Sequence, residues 1–265
     1  MIKKLLFTIA LLFLPIGFIL AADITATSLT AGSDDTNATV YTTASISPTA
    51  NRLVLVHVFG LSTGATTTPT IAGNGMNWVE VDDGAAGASW RSWIFRSASS
   101  TPATGAITFT FASTQNRAAW NVVEFANMDT SGTDGSGAII QSASSSKESG
   151  ANVLTTTLGT FSNSANATFG GIAANATGIT DVTPGTGFTT VNSSTPVEDS
   201  MSHTEFKTTN DTTVDWSWDG TSGGTASGIA VEIKNATQAI VADDAEMQVI
   251  IITEAIRETK NTFYI

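Results

Sequence analysis

The chain has 265 residues, 13% of them charged, with a net charge of −12 and no cysteine. Disulfides, thiol catalysis and cysteine-ligated metals are excluded, and an acidic chain of this kind offers no basic face for nucleic acid. Abundant Thr, Val, Ile, Phe and Trp with little Lys or Glu favours strands over helices.

The first element is a leader. Lys3 and Lys4 precede an apolar run from Leu5 to Leu20 that Pro15 and Gly17 interrupt, and Ala21 and Ala22 supply small residues before Asp23. This is the pattern of an export signal. Segment 1–22 is therefore read as a signal peptide, which makes the mature chain secreted or cell-surface and leaves it no membrane attachment after cleavage. The alternative is an uncleaved anchor, because bulky Ile19 or Leu20 stands where a small residue is usual.

Residues 23–236 read as one domain of short strands punctuated by turns. In the first half the strands fall at 40–47, 52–60, 78–81, 90–96, 106–112 and 119–126. A polar Gly/Ser loop at 129–137 joins the halves. The second half has strands at 139–145, 153–161, 167–173, 187–191, 202–208, 213–218 and 227–234. The segment from Thr108 to Phe125 (TFTFAS…AAWNVVEF) returns from Val214 to Ile233 (VDWSWD…ASGIAVEI) with a period of about 105 residues. Upstream units follow suit: 52–60 matches 167–175, 76–83 matches 187–194, and 89–98 matches 201–209. The stretch from Leu53 to Phe59 is apolar at nearly every position and should be covered on both faces. Phe109, Phe111, Trp216 and Trp218 alternate with polar residues and should anchor the core. The whole predicts an all-β, two-sheet antiparallel β-sandwich with jelly-roll-like connections, built from two pseudo-repeated halves.

Segment 237–265 is a linker and apolar tail. Its stretch from Met247 to Ile256 (MQVIIITEAI) is too short to span a membrane. It is read as an extra element packed on the domain, or as a strand that completes a neighbouring subunit's sheet and so drives self-assembly.

Chemistry-bearing residues are few. His57 sits in the most hydrophobic strand and reads as a buried core histidine. His203 and Glu205 share a strand face, but no third ligand completes a metal site. There is no GxSxG elbow. Glu80, Asp82 and Asp83 adjoin Gly84 like a solvated turn. Glu124 and Glu232 hold equivalent places in the two halves and read as outer-face glutamates, the alternative being an acid pair for sugar cleavage. Asp129 and Asp134 lie in the Gly-rich loop with oxygen ligands of the kind that hold calcium, without the EF-hand order. Trp78, Trp90 and Trp93 are candidates for stacking on sugar rings. Trp90 and Trp93 lie on opposite strand faces, so one of them should be outside or covered by a loop.

The succession NRLVLVHVFG, GNGMNWVEV, SWRSWIFRS, GAITFTFA and AAWNVVEFANMD resembles a pattern in uncharacterised exported and phage-associated β-sandwich proteins. In outline it is similar to concanavalin A-like jelly rolls. The resemblance covers about residues 40–234 and implies a fold without implying a catalytic residue. Function is accordingly expected to be non-enzymatic: a structural or adhesive module meeting glycans, other surface proteins or copies of itself. The alternatives are a carbohydrate-binding module and, behind it, a glycan-cleaving enzyme. No cofactor is expected apart from the calcium option.

Overall fold

A computed structural model describes Ala22–Ala236 apart from residue 222. Both the leader up to Ala21 and the stretch from Met247 to Ile256 lie outside the described residues. Among the described residues sixteen strands follow one another with a single short 3-10 turn, Ser136–Ala138, between the eighth and ninth. The first eight are β1 (Thr25–Asp34), β2 (Ala38–Thr42), β3 (Leu53–Leu61), β4 (Thr70–Gly73), β5 (Val79–Ala86), β6 (Trp90–Ser97), β7 (Ile107–Gln115) and β8 (Arg117–Ala126). The second eight are β9 (Ile139–Lys147), β10 (Val153–Thr157), β11 (Ala167–Asn175), β12 (Val182–Pro184), β13 (Thr189–Ser193), β14 (Ser200–Lys207), β15 (Thr213–Trp218) and β16 (Ala226–Ile233).

All pairings are antiparallel. In the first half the sheets run β1-β8-β3-β6-β5 and β2-β7-β4; in the second they run β9-β16-β11-β14-β13 and β10-β15-β12. Adding eight to every strand number of the first half reproduces the second. The repeat expected from the aromatic strands is thus an architectural one, and the two-sheet sandwich is present twice.

The ladders give the correspondence residue by residue. Glu124 stands opposite Val54 and Glu232 opposite Thr168, so β3 maps onto β11 with Leu53 matching Ala167 and His57 matching Gly171. Arg91 likewise matches Met201, Trp93 matches His203 and Phe95 matches Glu205. The pairings read from sequence are therefore shifted by one or two residues. Even an irregularity recurs: β5 bulges between Glu80 and Asp82, and β13 bulges between Thr190 and Asn192.

The two five-stranded sheets lie face to face, with β3 over β11, β1 beside β13 and β5 beside β9. Leu53, Leu55, Ile94, Val123 and Phe125 of the first half meet Ala167, Phe169, Phe206, Ile229 and Val231 of the second in one apolar layer. Phe125 is the hub, its ring 5.3 Å from Phe169 edge-on and 5.7 Å from Phe206. Each half also has its own core between its five- and three-stranded sheets. One gathers Val54, Val56, Trp93, Phe109, Phe111 and Trp120; the other gathers Ile172, Val214, Trp216, Trp218 and Ala230. The body is four sheets deep. This arrangement is why β3, β8, β11, β14 and β16 are buried on both faces, while β7 and β15 alternate in the period-two manner of a sheet with one wet side.

β1, β4 and β12 are strands that the sequence pattern did not announce. β1 (TATSLTAGSD) has no clean alternation, and β12 is three residues ending at Pro184. Both are edge strands, whose pairing is decided by neighbours far away in sequence.

Candidate functional site

The expected tryptophan platform is not exposed. Trp93 is fully buried in the first sandwich, its ring 5.9 Å from Phe111, with the Arg91 guanidinium 5.8 Å from its centroid and its indole N–H donated to Thr68. Trp90, on the opposite face, is covered by the second repeat, its ring tilted by 39° against Phe59 with centroids 4.3 Å apart, and packed near Ala173. Only Trp78 is half-buried, with its indole N–H directed at the Gly73 carbonyl. The member of the WRSW pair expected outside or under a loop is instead covered by a whole second sandwich lying over that face.

Glu124 and Glu232 are also buried, 3% and 0% exposed, which corrects their placement on an outer face. Each points into its own sandwich and fastens the loop that follows the second strand of its repeat. Glu124 accepts from the Thr49 N–H and, at 2.9 Å, from Arg52. Glu232 accepts from the Ser162 N–H and hydroxyl at 3.1 Å, and from Gln141 and Asn166 at 2.6 Å. The two carboxylates serve opposite sandwiches, on either side of the central layer, and do not converge on a common cleft. Their equivalence is structural: an acceptor-only group gathers loop donors at the same point in each half.

Asp129 and Asp134 border a cavity of about 160 Å³ together with Asn51, Ser99, Ser100 and Gly132. Asp129 is engaged by Lys234 at 2.5 Å and by the Ser131 N–H at 2.7 Å. The lysine hydrogen bond, helped by Ser131, holds its carboxyl down to about 2. Asp134, in a left-handed conformation at φ 51°, accepts from Asn77 at 2.7 Å. A cation here would compete with the Lys234 ammonium. Among the described residues no cluster of three or more His, Asp or Glu side chains could hold a metal ion.

The sequence did not reveal how polar the interior of the second repeat is. His203 and Glu205 occupy the places of Trp93 and Phe95, with smaller neighbours making room: a Cβ on Gly170 would approach Trp216 and Val214 to 2.7 Å and Glu205 to 3.3 Å. His203 Nδ1 lies 2.7 Å from the Ser193 hydroxyl, and the Gly185 N–H donates to Glu205 Oε2 at 2.9 Å. His203 Nε2 and Glu205 Oε1 have no hydrogen-bond partner among the described residues. Burial pushes Glu205 up to about 8, opposed by the Gly185 N–H and reinforced by the Asp215 and Asp211 charges. Burial also pushes His203 down to about 4. Near neutral pH both side chains are therefore uncharged, each bonded to a different partner. Gly185 lines an open pocket of about 350 Å³ with Val153, Thr155, Pro184, Asp215 and Trp216, but Glu205 itself is fully buried behind it.

A second polar group lies between the sandwiches. His57 Nδ1 is 2.9 Å from the Ser202 hydroxyl, which also accepts from Asn121 at 2.7 Å, and Ser92 meets Ser227 at 2.8 Å. The His57 ring rests on Gly171, where a Cβ would come within 2.8 Å of it. Burial, with the nearby His203 adding, drives His57 down to about 3. The expected core histidine is thus present, and its bond crosses from one repeat to the other. No family model, curated protein or solved structure matches the chain.

Proposed function

We propose that this chain is an exported, non-enzymatic building block, a stiff double sandwich that serves a surface or appendage structurally or adhesively. The observation that carries this reading is the use made of the buried polar groups. Glu124 and Glu232 pin loops, while His57, Asn121, Ser202, Ser92 and Ser227 fasten one sandwich to the other. Hydrogen bonds that cross from one sandwich to the other hold their relative register, which suits a part that must transmit load or present a surface; within that group His57 Nε2 and Asn121 Oδ1 have no partner among the described residues. The leader supports export.

A glycan-binding reading has one feature in its favour, the open pocket beside β15, where Thr155, Thr186, Asp215 and Ser217 surround Val153 and Pro184. Light scattering coupled to size exclusion on chain 23–265, across a hundredfold concentration range, separates the two. The building block gives a mass above one chain that grows with concentration. A strict monomer that instead scores on a glycan array, with the signal lost in Asp215→Ala, overturns it.

A further inference from the structure

The two long rims of the central double layer are closed differently. At one rim β1 meets β13, and the Asn192 amide donates to the Thr30 carbonyl at 2.7 Å while the Ser33 hydroxyl donates to the Thr195 carbonyl at 2.9 Å. At the other rim β5 lies beside β9. Asp82 there is the counterpart of Asn192, at the same bulge, and its Oδ1 accepts the N–H of the next residue just as the Asn192 Oδ1 does. A carboxylate has no proton to give a strand carbonyl, and among the described residues no hydrogen bond joins β5 to β9. One rim is latched and the other is not.

Natural sheets blunt their free edges with bulges, charges, short strands or cover. Three of the four edges here follow that rule. β1 is bulged after Ser28 and latched by Asn192; β13 is five residues long and bulged; β5 is bulged and carries Glu80, Asp82 and Asp83. β9 is bulged only at its start, at Ile140 between Ile139 and Gln141, and beyond that point does not follow it. From Gln141 to Lys147 its pairing with β16 is regular, and its other side has no backbone partner among the described residues. Its sequence there, QSASSSK, holds a single charge at the last position, and exposed Ile140 stands at its start.

We propose that β9 pairs edge to edge with β9 of a second copy, giving a two-fold dimer whose second-repeat sheets form one continuous ten-stranded sheet; this rests on the building-block reading above. The strand is compatible with itself. In an antiparallel pair centred on Ser144, Lys147 falls opposite Gln141, and the remaining partners are serines and alanine, so no like charges meet. Such an isologous contact closes on itself. The β5 strands of the two copies then approach each other across the same axis with Glu80 and Asp82, so the dimer tightens with added salt as that repulsion is screened.

The test uses full-length mature protein in sedimentation equilibrium. Ser144→Lys with Ser146→Lys places guard charges on the open edge and should raise the dimer dissociation constant at least a hundredfold, with the circular dichroism spectrum unchanged and the melting temperature no longer dependent on protein concentration. Thr27→Lys, on the latched rim, and Ile250→Lys with Ile252→Lys, in the tail, should leave the dimer intact. Self-association that survives the β9 substitutions overturns the pairing and leaves the building-block reading standing. Loss of the dimer only in the tail variant also overturns it, making the tail the occupant. A wild-type monomer at every concentration and salt level overturns both.

Discussion

Two histidines and a glutamate inside the body give its stability opposite slopes with pH. His57 and His203 have folded-state pKa values pushed down to about 3 and 4 by burial. Their contribution is full above the ordinary histidine range near 6.5 and is lost as pH falls through it toward those values. Glu205 is pushed up to about 8, so its contribution is full below about 4.5 and is lost as pH rises toward 8. The summed contribution of these three groups is expected to peak at about pH 6.5, where the rising histidine slope and the falling glutamate slope cancel. Glu205→Gln keeps an acceptor for the Gly185 N–H and removes the ionisation. Its melting temperature should exceed wild type by on the order of a few degrees at pH 8.5 and match it at pH 4.5. Parallel curves for the two proteins in scanning calorimetry would show that Glu205 does not set the alkaline limb. From sequence, His57 was recognisable as a core residue because valines flank it. The burial of Glu205 was hidden, since it depends on a glycine in β11 and a tryptophan in β15 making room for it.

At the scale of elements, the glutamate near the end of each repeat's last strand acts as a fastener. Glu232 receives four hydrogen bonds, three of them from the loop that leads into β11 and one from Gln141. Glu232→Gln turns an acceptor into a donor facing donors, and should lower unfolding free energy by about 1–3 kcal/mol in urea titration. Glu124→Gln should act in the same direction and leave Arg52 without its partner. A loss below about 0.5 kcal/mol in both would mean that the loops hold without them. The equivalence of these two residues was legible in the chain, because each follows a valine in matching strands. Their burial was not, since Thr49 and Ser162 lie in loops with no pattern of their own. Trp90 went astray for the same reason: alternation fixes which face a side chain occupies, and says nothing of a second sandwich lying on that face.

At the scale of the molecule, the layer around Phe125 and Phe169 unites what would otherwise be two small sandwiches. Unfolding one half exposes the apolar face of the other, so both should melt in a single calorimetric transition whose van't Hoff and calorimetric enthalpies agree. Two resolved transitions would show the sandwiches to be energetically independent. The sequence announced the repeat and the doubly covered β3. It did not distinguish one sandwich made of two halves from two complete sandwiches back to back, because both give the same alternation on every strand.

The imidazole of His57 occupies the space that the missing side chain of Gly171 leaves free, and these two positions are counterparts near the middle of the pseudo-symmetric body. Two first repeats brought together in this manner would force a pair of rings into room for one; two second repeats would leave a hole. The two halves are lock and key, each shaped to fit the other and not a copy of itself.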